Sequence, residues 1–131
     1  MGLKKKSRKN RSDVAPHAKG AARSRLVLEI IATDNTFYFG LSQPPIWCGR
    51  CLHCNSALYV SETGNTDATV EHIVPTSAGG SGTDMLNLAL ACKACNNEKG
   101  VRHDPNYPSD ARAFQVINNL LETRRGRWRS K

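Results

Sequence analysis

The sequence predicts a small α+β domain stapled by a four-cysteine zinc site, with a helix on the N-terminal side and another on the C-terminal side. Three observations carry that expectation. Two Cys-x-x-Cys pairs, Cys51/Cys54 and Cys92/Cys95, bracket residues 55–91. Within and beside that bracket lie short apolar runs of strand character at 57–60, 68–74 and 87–91. Outside it, apolar residues gather at 26–31 and recur at helical spacing as Phe114, Ile117, Leu120 and Leu121.

The totals fit one domain with tails. The chain has 131 residues and a hydrophobic fraction of 39%, with much of the polar excess at its two ends. A chain of this size, once its tails are set aside, has a modest core and commonly needs a staple such as a metal. The net charge of +8 is unevenly spread. Residues 1–25 hold nine Lys/Arg against Asp13, residues 26–111 hold four against nine acids, and residues 112–131 hold six against Glu122. Basic flanks therefore enclose an acidic middle, an arrangement suited to gripping a polyanion from the ends of the chain.

The start, Met1-Gly2-Leu3-Lys4-Lys5-Lys6, has charge but no apolar stretch behind it, so no signal peptide is expected. Lys6 stands where a myristoylation motif needs Ser or Thr. No run approaches the length of a membrane span. These features predict a cytoplasmic chain without a membrane partner, in which paired cysteines read as metal ligands rather than disulfides.

In chain order, residues 1–22 are Lys/Arg-rich with little large apolar content and are expected to be a disordered basic arm. Residues 23–123 are expected to form the domain, with 48–102 as its motif core. The run 26–31 is too short to separate helix from strand by period alone; its Ala and Leu content favours helix. Phe37, Tyr38 and Phe39 read as packing residues, and Pro44-Pro45 stops regular structure before the first cysteine pair. The strand at 68–74 alternates Val70, His72 and Val74 against Thr69, Glu71 and Ile73. A Gly-rich loop follows Pro75, and the second cysteine pair runs into a short helix ending near Gly100. Ser109-Asp110 is a cap for the last helix. The basic tail 124–131 contains Trp128, which is able to stack on a base or a membrane headgroup.

The zinc expectation rests on ligand spacing. A two-residue gap lets both thiolates of a tight turn face one ion, and two such turns complete a closed tetrahedral shell of the structural kind. Cys48 forms a rival pair with Cys51, and His53 is a rival ligand; Cys48 is taken as the spare. A shell of Cys51, Cys54, Cys92 and Cys95 leaves no open position, so this ion would hold the fold and do no chemistry.

Glu71-His72-Ile73-Val74-Pro75, the Gly79-Gly80 loop, Asn87-Leu88 and Cys92-x-x-Cys95-Asn96-x-x-Lys99-Gly100 together resemble an HNH endonuclease, of the zinc-knuckle branch with Asn in the last motif position. The resemblance covers about residues 48–102. It implies a ββα-metal (His-Me finger) fold around one catalytic divalent ion. It further implies that His72 is the general base, Glu71 and Asn96 hold the ion, and Asn87 ties the loop that keeps the base in place. Glu71 stands where the family more often has Asp, and Asn96 where it more often has His.

The chemistry needs these residue types. Phosphodiester hydrolysis needs an activated water, and an imidazole with an ordinary pKa near ~6.5 can take its proton at neutral pH. A carboxylate and an amide oxygen suit a hard ion, here Mg²⁺ or Mn²⁺. The resemblance thus implies a metal-dependent endonuclease acting on DNA, double-stranded for preference, and leaving 5′-phosphate and 3′-hydroxyl ends. Lys99, Arg102, Arg124, Arg125 and Arg127 are candidate phosphate contacts. No sequence-reading module is visible, which leaves specificity to a homodimer or a partner chain. The competing readings are a non-catalytic zinc-containing nucleic-acid-binding protein with a degenerate nuclease fold, and an RNA-directed nuclease or RNA-processing factor.

Overall fold

A computed structural model describes residues 20–41, 43–97 and 111–131. The first helix, α1, spans Gly20–Ala32 and buries Leu26, Val27, Ile30 and Ile31. This spacing of four aliphatic residues places one stripe against the core, which settles the helix-or-strand ambiguity in favour of helix. Residues 20–22, assigned to the arm from sequence, are its first turn, and residues 1–19 lie outside the described residues.

Five strands follow. β1 (Tyr38–Gly40), β2 (Ile46–Arg50) and β3 (Ala57–Ser61) form an antiparallel three-stranded sheet in the order β1-β2-β3. β4 (Thr69–His72) and β5 (Leu88–Ala91) form a separate antiparallel pair. The strands expected at 57–60, 68–74 and 87–91 correspond to β3, β4 and β5, although β4 stops at His72 and Asn87 belongs to a 3₁₀ turn before β5; β1 and β2 were not expected. Pro44-Pro45 does break the chain, yet it separates two paired strands: Tyr38 lies opposite Cys48 and Gly40 opposite Ile46. The expected aromatic packing is divided by the same pleat. Phe37 is fully buried and Phe39 packs at a tilt on Trp47, ring centroids 5.0 Å apart, whereas Tyr38 is 64% exposed.

One apolar cluster joins α1 to both sheets through Val27, Ile30, Ile31, Phe37, Leu58, Val60, Leu88 and Leu90. A second, formed by Leu52, Ile73, Ala89 and Ile117, seats the last helix, α3 (Ala111–Gly126), with Leu120 and Leu121 packed beside it. The β4–β5 pair is thereby held between two helices. Phe114 departs from the expected apolar stripe and is 47% exposed. The proposed cap Ser109-Asp110 and the expected helix end near Gly100 lie outside the described residues.

The basic tail expected at 124–131 is built into the domain. α3 continues to Gly126, and Trp128 then bridges Asp34. Arg124 is completely buried: its Nε donates to the Leu88 carbonyl at 2.8 Å, and its two terminal nitrogens donate to the Thr33 carbonyl and hydroxyl at 2.9 and 2.7 Å. Burial pulls this guanidinium below its ordinary range, and the Asp34 charge partly offsets that. Arg129 donates to the carbonyls of Ile31 and Ala32 at the end of α1 and to that of Phe37 before β1. The expectation of a free tail fails for a physical reason: an arginine fork satisfies several buried carbonyls at once, which composition cannot reveal. Among the described residues, no helix is long and apolar enough to cross a membrane.

Candidate metal and hydrolytic site

The first cysteine turn connects β2 to β3. The Cys51 N–H donates to the Ser56 carbonyl at 2.8 Å, and Asn55 adopts a left-handed conformation (φ 65°) to close the turn. The second pair follows β5 directly, with Cys92 at the strand end and Cys95 within α2 (Lys93–Asn97). A backbone bond from Leu52 N–H to the Leu90 carbonyl, 3.0 Å, ties the two halves together.

The four sulfurs of Cys51, Cys54, Cys92 and Cys95 lie within 4.8 Å of one another. Backbone N–H groups of His53 and Cys92 donate to Cys51 Sγ at 3.4 and 3.3 Å. The Ser56 hydroxyl and backbone hold the Cys54 thiol down to about 6, and a backbone hydrogen bond to Cys95 lowers Cys92. Burial, with help from the neighbouring thiols, pushes Cys95 up instead. Crowded thiols cannot all ionise unaided; a cation among them removes the conflict, so the cluster suits a zinc ion. Cys48 is no part of it. Cys48 lies on β2 between Tyr38 and Tyr59, and its hydrogen bond to the Tyr38 hydroxyl raises that group.

Glu71 and His72 are the last two residues of β4. Glu71 lies opposite Ala89 and His72 opposite Leu88, so the pleat sends their side chains to opposite faces of the pair. Glu71 is only 3% exposed, and its Oε2 lies 3.1 Å from His53 Nε2. His53, a rival zinc ligand on sequence, is thus directed at the carboxylate. That contact was missed; the signal available was a histidine inside a Cys-x-x-Cys turn, without any indication of what it would face.

On the other face, the loop after β4 closes over His72. Gly79 takes a left-handed φ of 88°, and Gly80 lies so close to the Val74 carbonyl that any side chain there would collide with it. A Cβ at Gly82 would stand 3.3 Å from His72 Nε2. Asn87, buried at the end of a 3₁₀ turn, holds this loop. Its Oδ1 accepts from the Val74 N–H at 2.8 Å, and its Nδ2 donates to the Val74 and Ser81 carbonyls at 3.2 and 2.9 Å. The Asp84 carboxylate caps the same turn by accepting from the Leu86 N–H.

Asn96 is half-buried on α2, which packs against β4; its N–H donates to the Cys92 carbonyl at 3.0 Å. The fold therefore gathers Glu71, His72, Asn87 and the α2 segment carrying Asn96 around one strand pair. The candidate phosphate contacts separate. Lys99 and Arg102 lie outside the described residues. Arg124 is buried, which corrects its assignment to a nucleic-acid surface. Arg127 is half-buried and donates to the Arg50 and Cys51 carbonyls and to Asn55 Oδ1. Arg125 is exposed.

Residues 51–110 match a protein-family model described as HNH endonuclease. No curated protein and no solved structure matches the chain.

Proposed function

From the premise that residues 51–110 belong to the HNH endonuclease family, we propose that this protein is a divalent-ion-dependent endonuclease hydrolysing DNA phosphodiester bonds. The observation that carries the reading is the junction after β4, where Glu71 and His72 stand at a strand end whose following loop is fastened by Asn87. His72 takes the proton of the attacking water, and the lack of a side chain at Gly82, where a Cβ would stand 3.3 Å from His72 Nε2, keeps the imidazole uncrowded on that side. Glu71 and Asn96 supply a carboxylate and an amide oxygen, a hard donor pair that fits Mg²⁺ or Mn²⁺. Such an ion, when bound, supplies positive charge to the scissile phosphate and the leaving 3′-oxygen. Asn87 touches no substrate; it fixes the loop and with it the setting of His72. The four cysteines hold a structural zinc that fastens α2 and the β2–β3 turn to β5.

DNA is the substrate this reading favours, because the N-terminal cations and Arg125 supply sequence-tolerant phosphate contacts. The chain acts in the cytoplasm, with specificity left to a partner or a second copy. The test is supercoiled-plasmid cleavage with Mg²⁺ or Mn²⁺, comparing the native chain with His72→Ala and an EDTA control. Metal-dependent nicking that vanishes in a folded, zinc-loaded His72→Ala supports the proposal. A folded native chain that binds DNA and never cuts it with either ion refutes it and leaves a zinc-containing binding protein.

A further inference from the structure

His53 occupies an unusual place: it sits inside the first cysteine pair, yet its ring belongs to the other site. Its backbone N–H donates to Cys51 Sγ at 3.4 Å while its Nε2 lies 3.1 Å from Glu71 Oε2. The His53 side chain is 17% exposed and that of Glu71 3%. The preceding residue fixes the approach. Leu52 is buried with Ile73 and Ala89, and its N–H is bonded to the Leu90 carbonyl, so the cysteine turn is clamped across the β4–β5 pair beside Glu71. The imidazole consequently reaches the carboxylate from a backbone that cannot drift.

A buried carboxylate needs a partner to offset its desolvation, and a glutamate arm with three rotatable bonds needs restraint before it can present oxygen in one direction. The His53 ring meets both needs, with its Nε2 at hydrogen-bond distance, 3.1 Å, from Glu71 Oε2. We propose that His53 is a positioning residue for the hydrolytic ion site, orienting the Glu71 carboxylate and coupling that site to the zinc turn that holds His53 itself. The inference rests on Glu71 serving the ion as argued above. Partners that orient a ligand in this way typically contribute about 10- to 100-fold to metal affinity or activity.

The experiment compares the full-length chain with His53→Ala, His53→Gln and His53→Phe. Zinc stoichiometry, Mn²⁺ affinity by electron paramagnetic resonance, and plasmid cleavage as a function of Mn²⁺ are measured for each. The expected result is one zinc throughout and Mn²⁺ binding weakened about 10- to 100-fold in His53→Ala and His53→Phe. Cleavage at saturating Mn²⁺ falls less than affinity does. His53→Gln, whose amide N–H can reach the carboxylate, restores much of the affinity. Native-like Mn²⁺ affinity in His53→Ala overturns the proposal, as does equal rescue by Phe and Gln, which would make the ring a packing element. Loss of zinc from all three variants overturns it too, by assigning the ring to the cysteine turn alone. A native chain that neither binds Mn²⁺ nor cuts refutes the nuclease reading itself, whereas a native chain that does both beside an unaffected His53→Ala refutes only this inference.

Discussion

The Asn87 side-chain amide makes the same pair of bonds to Val74 that a neighbouring strand would make: it accepts from the Val74 N–H at 2.8 Å and donates to the Val74 carbonyl at 3.2 Å. The ladder of β4 and β5 is thereby prolonged by a side chain, one residue past its backbone bond from Ile73 N–H to the Asn87 carbonyl. The remaining amide proton reaches the Ser81 carbonyl, drawing the glycine loop over His72. One asparagine thus closes the strand end and the loop together.

Replacing Asn87 by Ala leaves the Val74 N–H and two carbonyls without their partner. Each buried polar group so orphaned costs about 1–3 kcal/mol. The variant is expected to unfold at lower denaturant and to lose cleavage beyond what its reduced stability explains, because the loop beside His72 is released. Asn87→Asp keeps the acceptor but turns a donor toward two carbonyls into a second acceptor, and is expected to be no better than Ala. Urea unfolding alongside plasmid cleavage below the transition separates the two effects.

Gly80→Ala tests the same closure from the loop side. A methyl group there meets the Val74 carbonyl, which β4 and Asn87 hold in place, so the backbone must shift. Gly79 has open space around it but a left-handed φ of 88°, so Gly79→Ala strains the backbone without a clash. The expected order of destabilisation is Gly80→Ala above Gly79→Ala, with about 1 kcal/mol for the latter. Thermal melts of the two variants check the ranking.

Zinc retention is expected to depend on four thiols and not on the fifth. Cys54→Ser should lose the ion, while Cys48→Ser should keep one zinc per chain, since Cys48 stands outside the sulfur cluster. Acidification works in the same direction as ligand removal. The Cys54 thiol is held down to about 6 from an unfolded value of 9.0, so its anionic contribution is complete above the higher value and is lost as pH falls through about 6. A zinc-release titration with a chromogenic chelator should show retention at neutral pH and release on the acid side. Zinc held by Cys54→Ser as tightly as by the native chain would contradict the ligand assignment.

Much of this architecture was legible in the residues. The cysteine spacing located the sulfur cluster, and Glu71, His72, Asn87 and Asn96 were singled out by an order and spacing that resemble a known pattern. What escaped depends on partners distant in sequence. β1 has three residues and β2 five, too short for alternation to stand out beside two prolines. The His53–Glu71 contact crosses from a turn to a strand, and nothing at either position announces the other. The tail misled for a related reason: Arg124 and Arg129 look like solvated charges in a basic run, and only the carbonyls of Thr33, Leu88, Ile31 and Phe37 convert them into internal ties.

Those ties make Arg124 a stability residue. Arg124→Ala leaves the Leu88 carbonyl without its arginine donor, removes one of the two donors to the Thr33 carbonyl (the Arg129 N–H remains at 3.0 Å) and opens a space in the centre of the fold, with an expected loss of about 3 kcal/mol or more. Arg124→Lys should recover little of it, since an ammonium cannot reproduce the planar fork that bonds two residues from two directions. Guanidinium denaturation of the zinc-loaded chains provides the comparison; a native-like midpoint for Arg124→Ala would refute the assignment.

The neighbouring arginines should then divide by function according to what they touch. Arg125 is exposed on α3, so Arg125→Ala is expected to leave zinc content and stability unchanged while weakening DNA binding about equally across sequences. The slope of log affinity against log salt should fall by about one. Arg127 instead donates to the Arg50 and Cys51 carbonyls and to Asn55 Oδ1, bracing the first cysteine turn. Arg127→Ala should therefore lower stability and loosen zinc, with any loss of DNA affinity following from that. Fluorescence-anisotropy titrations over a salt series, run beside zinc-release measurements, distinguish the two. Identical behaviour of the two variants in both assays would mean that neighbouring charges in this segment act together as one surface, contrary to the division drawn from their hydrogen bonds.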